Sequence, residues 1–199
     1  NGLKDTISEA VQTVKAADNG VTGINRLIEA IRGVITQSRS ALNSTTSATE
    51  LAGLTTQYNE LVRQLNNTEQ DASYKGVNFL AGSAVTLTVN FNEQATSQLI
   101  MSGFNGSASG LAISGGTQTG AGSLTSANLS TTAGLDGIET TLNAALATLR
   151  SQGGTLSANL SILTIRQQFI TDMVNTLAEG ATKLTVADTN EEGANMLIL

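Results

Sequence analysis

Apolar residues at Leu3, Ile7, Ala10, Val14, Ala17, Val21, Ile24, Ile28, Ile31, Ile35 and Leu42, with Ser38 in phase, recur at steps of three and four. That spacing keeps one face of a 3.6-residue helix apolar and predicts a single helix over the first 42 residues. At 1.5 Å per residue it would be a rod of about 63 Å. Helices of globular proteins average about three turns, so the pattern points to an elongated bundle. Gly20, Gly23 and Gly33 interrupt it, each costing about 1 kcal/mol against alanine. They are expected to be tolerated weak points or local bends, with close packing on a neighbouring chain as the alternative.

Asn43 to Thr46 breaks the period, and Ser47-Ala-Thr-Glu50 has the spacing of a capping box. A second helix follows, with Leu51, Leu54, Tyr58, Leu61, Leu65, Thr68 and Ala72 on one face. The short break implies an antiparallel return along the first helix. A third stripe runs through Leu135, Ile138, Leu142, Ala145, Leu149, Leu156, Leu160, Leu163, Ile170, Val174 and Leu177. Its phase survives Gly153-Gly154, so one continuous helix with a soft spot is expected there, two shorter helices being the alternative. Asp188 and Glu191 have the look of a further helix start, closed by Met196-Leu-Ile-Leu199. Three apolar stripes can cover one another, which predicts a mainly α fold: an elongated antiparallel bundle of long helices.

Between the second and third stripes the period changes. Val85, Leu87, Val89 and Phe91 alternate with Thr86, Thr88 and Asn90, the mark of a half-buried strand. QLIMSGF (98–104) and LAIS (111–114) are its expected partners, and 115–134 reads as an exposed low-complexity loop. Three regions result: 1–75, the N-terminal half of the rod with two helices; 76–134, a small Gly/Ser/Thr-rich β-hairpin and loop insert; and 135–199, the C-terminal long helix and the start of a terminal segment. Charge follows the same division, since residues 76–134 carry only Glu93.

Composition narrows the chemistry. The chain has no His and no Cys, which removes His bases, thiol nucleophiles, structural zinc and disulfides. A formal charge of −6, from 10 basic and 16 acidic residues, argues against nucleic acid as a partner. No apolar run is long enough to span a membrane. Asp5 with Glu9, and Glu191 with Glu192, are acid pairs on solvated helix faces, and Arg26, Glu29 and Arg32 form an i, i+3 ladder. GFNGSASG (103–110) is glycine-rich but lacks the Lys-Ser/Thr of a phosphate loop. The chain is therefore not expected to be an enzyme, and no catalytic, metal or cofactor residues are assigned.

Three segments carry a resemblance to a known family. GINRLIEAIRGVITQSRSALN (23–43), YKGVNFLAG (74–82) and ADTNEEGANM (187–196) resemble, in order and spacing, the long-helix segment, the aromatic-x-Gly turn and the closing segment of bacterial flagellin. The likeness covers nearly the whole chain apart from the insert. It implies a flagellin rod domain and a homopolymer of flagellin subunits. It also implies secretion to the extracellular flagellum by flagellar export without a cleaved signal, helped by an export chaperone. In that light both ends read as cut in mid-pattern, with the final MLIL opening a terminal helix. Arg26, Glu29, Arg32 and Gln37 become candidates for a subunit or receptor contact face. One departure bears on innate immunity. Where many flagellins carry Leu-Gln-Arg-x-Arg-Glu-Leu, this chain has Ile28-Glu29-Ala30-Ile31-Arg32-Gly33-Val34. Loss of the first Arg and the Glu implies weak or absent Toll-like receptor recognition. A hook–filament junction protein and a surface adhesin or glycan binder are the alternative readings.

Overall fold

The computed structural model describes residues 2–42, 44, 47–113 and 125–198, with the side chains of 47, 126, 127, 185–192 and 194–198 outside the description. Helix α1 spans Gly2–Ala41 and α2 spans Ser47–Asp71. Strands β1 (Thr86–Asn90) and β2 (Gln98–Ser102) follow. A short α3 (Ser126–Leu129) then leads into α4 (Thr132–Ile198).

α1 carries the core. Every expected seam position from Ile7 to Ser38 is buried, and Leu3 and Leu42 at the ends are half-buried. Val11, Thr13, Gly20 and Val34 are buried as well, because α1 packs against both α2 and α4. Polar residues enter this core by satisfying themselves within the helix. Ser38 donates to the Val34 carbonyl at 2.9 Å and Thr13 to that of Glu9 at 2.9 Å.

α2 returns antiparallel, as its short connection predicts. Thr68 comes beside Gly23 and Ala72 beside Gly20. α2 begins at Ser47, and the expected capping box of Ser47 with Glu50 rests on the Ser47 side chain, which lies outside the described residues. α4 also runs antiparallel to α1. Arg39 meets Asp136 and Glu139 at one end, Val21 lies beside Gly153 midway, and Leu3 shares a groove with Ile170 and Met173 at the other. At 67 residues α4 is about 100 Å long. It passes Gly153-Gly154 without a break, as expected, because packing of the neighbouring turns outweighs two glycine penalties. It also runs unbroken through Asp188, so the helix start read there is not one.

The segment after α2 accounts for the YKGVNFLAG pattern. Tyr74 and Val77 exchange backbone hydrogen bonds around Lys75 and Gly76, which both adopt positive φ and make a type I′ turn. The Asn78 amide then donates to the carbonyls of Glu69 (2.7 Å) and Gln70 (3.3 Å), capping the open end of α2. Phe79 and Leu80 are driven into the core, where Leu80 closes on Gly20.

β1 and β2 form an antiparallel hairpin in which Leu87 faces Met101 and Val89 faces Leu99. Val89 and Met101 are buried, while Ile100 on the opposite face is 58% exposed. Gly103, Phe104 and Gly106 donate to the carbonyls of Val85, Phe79 and Leu80 and tie the hairpin's exit to its approach. The described part of this segment thus shares one core with the helices. Two local expectations fail. Leu111 to Ile113 form turns rather than a third strand, because the Ala108 amide is taken by the Asn66 side chain (2.8 Å) and its carbonyl by Ile113 (2.8 Å). The expected loop 115–134 holds α3 and the first turn of α4, stabilised by burial of Leu129; residues 114–124 lie outside the description.

Candidate assembly surface

The residues singled out from sequence sit along the outside of α1. Arg26, Glu29 and Gln37 are exposed or nearly so, and Arg32 is half-buried. Arg32 lies 3.4 Å from Glu29, completing one rung of the expected ladder. Its stem lines a crevice of about 140 Å³ between α1 and α4, together with Ile35, Thr36, Arg39, Glu139 and Leu142. At the floor of that crevice Arg39 reaches Asp136 at 2.8 Å and Glu139 at 3.0 Å. The hydrogen bond to Asp136 holds the guanidinium above its ordinary pKa. Within the run Ile28 to Val34, Ile28, Ile31 and Val34 face the core, so only Glu29, Ala30, Arg32 and Gly33 are presented outward. A Cβ on Gly33 would meet nothing, which leaves a shallow spot on this face. Asp5 and Glu9 lie on the exposed side of α1, as a solvated helix face requires, and Glu9 pairs with Lys75 at 2.5 Å.

A second surface was not legible as a site. Large apolar side chains are exposed on the distal half of α4: Ile162, Ile165, Phe169, Met173, Val174, Leu177 and Leu184, from 41% to 74%. Val174 belongs to the seam facing α1 and emerges where α1 ends. Leu177 lies at the edge of that seam, between it and a separate stripe formed by the others. The signal of this stripe was present, as spacings of three, four, four and four from Ile162 to Leu177, but it was overprinted by the stronger seam of the same helix.

Beside this stripe the hairpin turn closes a groove of about 590 Å³, lined chiefly by Leu3, Phe91, Phe169, Ile170, Met173 and Leu177. The Arg166 guanidinium stands 4.9 Å from the centre of the Phe91 ring and holds the turn against α4. Such a lining offers burial of apolar area and little directed chemistry. Among the described residues, no group of three or more His, Cys, Asp or Glu comes together, and no helix is long and apolar enough to cross a membrane.

No protein-family profile and no curated protein sequence matches the chain. Its fold does have a counterpart among solved structures. A crystal structure of Bacillus cereus flagellin superposes with a TM-score of 0.64 at 17% sequence identity, over 83% of this chain and 88% of that one. At that identity the likeness is one of fold: a mainly helical rod of long helices with a small hairpin on its flank.

Proposed function

We propose that this chain is a structural subunit of a bacterial flagellar filament, polymerising with further copies of itself outside the cell. The observation that carries the reading is the rod, in which α2 and α4 flank α1 with the hairpin along one side. That arrangement matches flagellin of Bacillus cereus over most of both chains. In this reading the work of the protein is packing rather than catalysis, and Arg26, Glu29, Arg32 and Gln37 stand on a face available to adjacent subunits. Export without a cleaved leader, an export chaperone and weak Toll-like receptor recognition belong to the same proposal.

Immunogold labelling of cells that produce the protein tests it. Continuous decoration along the filament is the expected result. A single band close to the cell would make the chain a junction protein, and label on the cell body alone would make it a surface adhesin; either outcome ends the filament reading.

A further inference from the structure

An Asn-Gly pair is chemically distinctive in any chain, because glycine leaves the amide nitrogen after the asparagine unshielded by a side chain. Two such pairs lie among the described residues: Asn19-Gly20 inside α1 and Asn105-Gly106 at the exit of the hairpin. At the second, packing dictates both residues. A Cβ on Gly106 would stand 3.2 Å from the Leu80 Cβ, so the glycine lets the exit lie against the core. The Asn105 side chain organises the turn that follows. Its Oδ1 accepts from the Ser107 amide at 3.1 Å and from the Ser107 hydroxyl at 2.6 Å. A Cβ on Gly110 would strike that side chain, so the turn wraps it closely. Gly106 is buried, whereas Asn105 is exposed.

The residues that packing selects here are also a reactive pair. We propose that Asn105 is a site of spontaneous isoaspartate formation, which the folded exit of the hairpin holds shut. In this reaction the Gly106 nitrogen loses its proton to solvent base and bonds to Asn105 Cγ. The Cγ–Nδ2 bond breaks and ammonia leaves. Water then opens the cyclic imide at either carbonyl, giving isoaspartate or aspartate. The balance is one water taken up and one ammonia released. Exposure of Asn105 gives solvent the access it needs to supply both base and water.

The fold opposes ring closure at the nitrogen, the backbone and the side chain. The Gly106 amide donates to the Leu80 carbonyl at 2.8 Å, which engages the proton that must leave. Asn105 pairs antiparallel with Ala81, and that extended backbone keeps the Gly106 nitrogen away from the Asn105 side chain. The bonds from Ser107 fix the carboxamide in place. Release needs only a local opening. The segment is tied down by the Gly103, Phe104 and Gly106 amides on Val85, Phe79 and Leu80, and by Asn66 on the Ala108 amide. Asn19 differs, because Gly20 is buried against Ala72 and Leu80 and freeing it means unwinding the helix that carries the core. Isoaspartate would lengthen the main chain by one carbon at the bridge to Ala81. It would also add a carboxylate to a stretch, 76–134, whose one charge is Glu93. The bridge could not then reform, so the change marks chains whose hairpin exit has been open. None of this depends on the filament reading.

Incubation of the full chain at mildly alkaline pH, folded and in denaturant, tests the proposal by peptide mass mapping and enzymatic methylation of isoaspartate. In denaturant Asn105 and Asn19 should convert at comparable rates. In the folded chain both should slow at least tenfold, with Asn105 well ahead of Asn19. S107A should speed Asn105 severalfold and leave Asn19 unchanged, with circular dichroism as in the parent chain. Urea below the unfolding midpoint should do the same, as a local opening requires. Conversion of Asn105 as fast in the folded chain as in denaturant would show that nothing holds it shut and overturn the proposal. An Asn105 rate that neither S107A nor urea raises would overturn it too. So would Asn19 converting first in the folded chain, or Asn105 staying inert in denaturant.

Discussion

Glu69 is 7% exposed on a helix whose other buried positions are apolar or hydroxyl-bearing. Burial raises its carboxyl above the ordinary 4.5, since the charged form loses hydration there. The folded state therefore holds this proton to higher pH than the unfolded chain does. Its contribution to stability is present below the ordinary value and is lost as pH rises through the raised one. E69Q keeps the shape and removes the titration. We expect E69Q to melt at higher temperature than the parent chain at neutral pH, with the gap closing as pH falls below the ordinary carboxyl range. Parallel melting curves across that range check it, and a constant gap would show that the carboxyl does not titrate differently on folding. Glu60 behaves in the opposite sense. Hydrogen bonds from Arg63 and Gln64 hold its carboxyl down at about 2, at a site open to solvent.

At the scale of elements, the approach of α1 to the chain after α2 depends on a missing side chain. A Cβ at Gly20 would lie 2.5 Å from the Ala72 Cβ and 2.6 Å from Leu80 Cδ1. Leu80 can turn its end away, but the Ala72 Cβ is fixed to its backbone. G20A should therefore destabilise by about 1–3 kcal/mol through overpacking, against roughly 1 kcal/mol gained in helix propensity. G33A, on the open side of the same helix, should stabilise by about 0.5–1 kcal/mol. Denaturant midpoints of the two variants should move in opposite directions. The close approach is within one chain, so of the three glycines Gly20 is neither a weak point nor a contact with a neighbour. The same element shows why α1 reads so clearly: both of its flanks are covered, and nearly every apolar residue on it is paired with an interior.

For the whole molecule the governing quantity is length. A compact chain of this size has a radius of gyration of about 16 Å. A rod carrying a helix of about 100 Å should exceed that clearly, reaching roughly 29 Å if α4 sets the full extent. Small-angle scattering on the soluble protein should return a value well above the compact one and a distance distribution with a long tail. A value near that of a compact chain would mean that α4 folds back on itself. Elongation also explains the low aromatic content of 3%. A core one side chain deep, drawn out between paired helices, is filled by Ile, Val, Leu and Ala and has no wide interior for rings.

Periodicity alone determined the three long helices, the seam residues of α1 and the alternation of β1, because these depend on which side of a regular element is apolar. The turn after α2 was read only through its family resemblance, and the structure supplied its positive-φ pair Lys75-Gly76 and the cap by Asn78. Only the tertiary structure decided the rest. It put α1 between α2 and α4, placed Gly20 against Ala72, and turned residues 111–113 away from the sheet, with the distant Asn66 holding the Ala108 amide. It also separated two apolar stripes on α4, one covered by α1 and one left in water. A helical pattern records that a residue is apolar, but what covers it depends on which element arrives alongside, and that is settled by contacts between residues far apart in the chain.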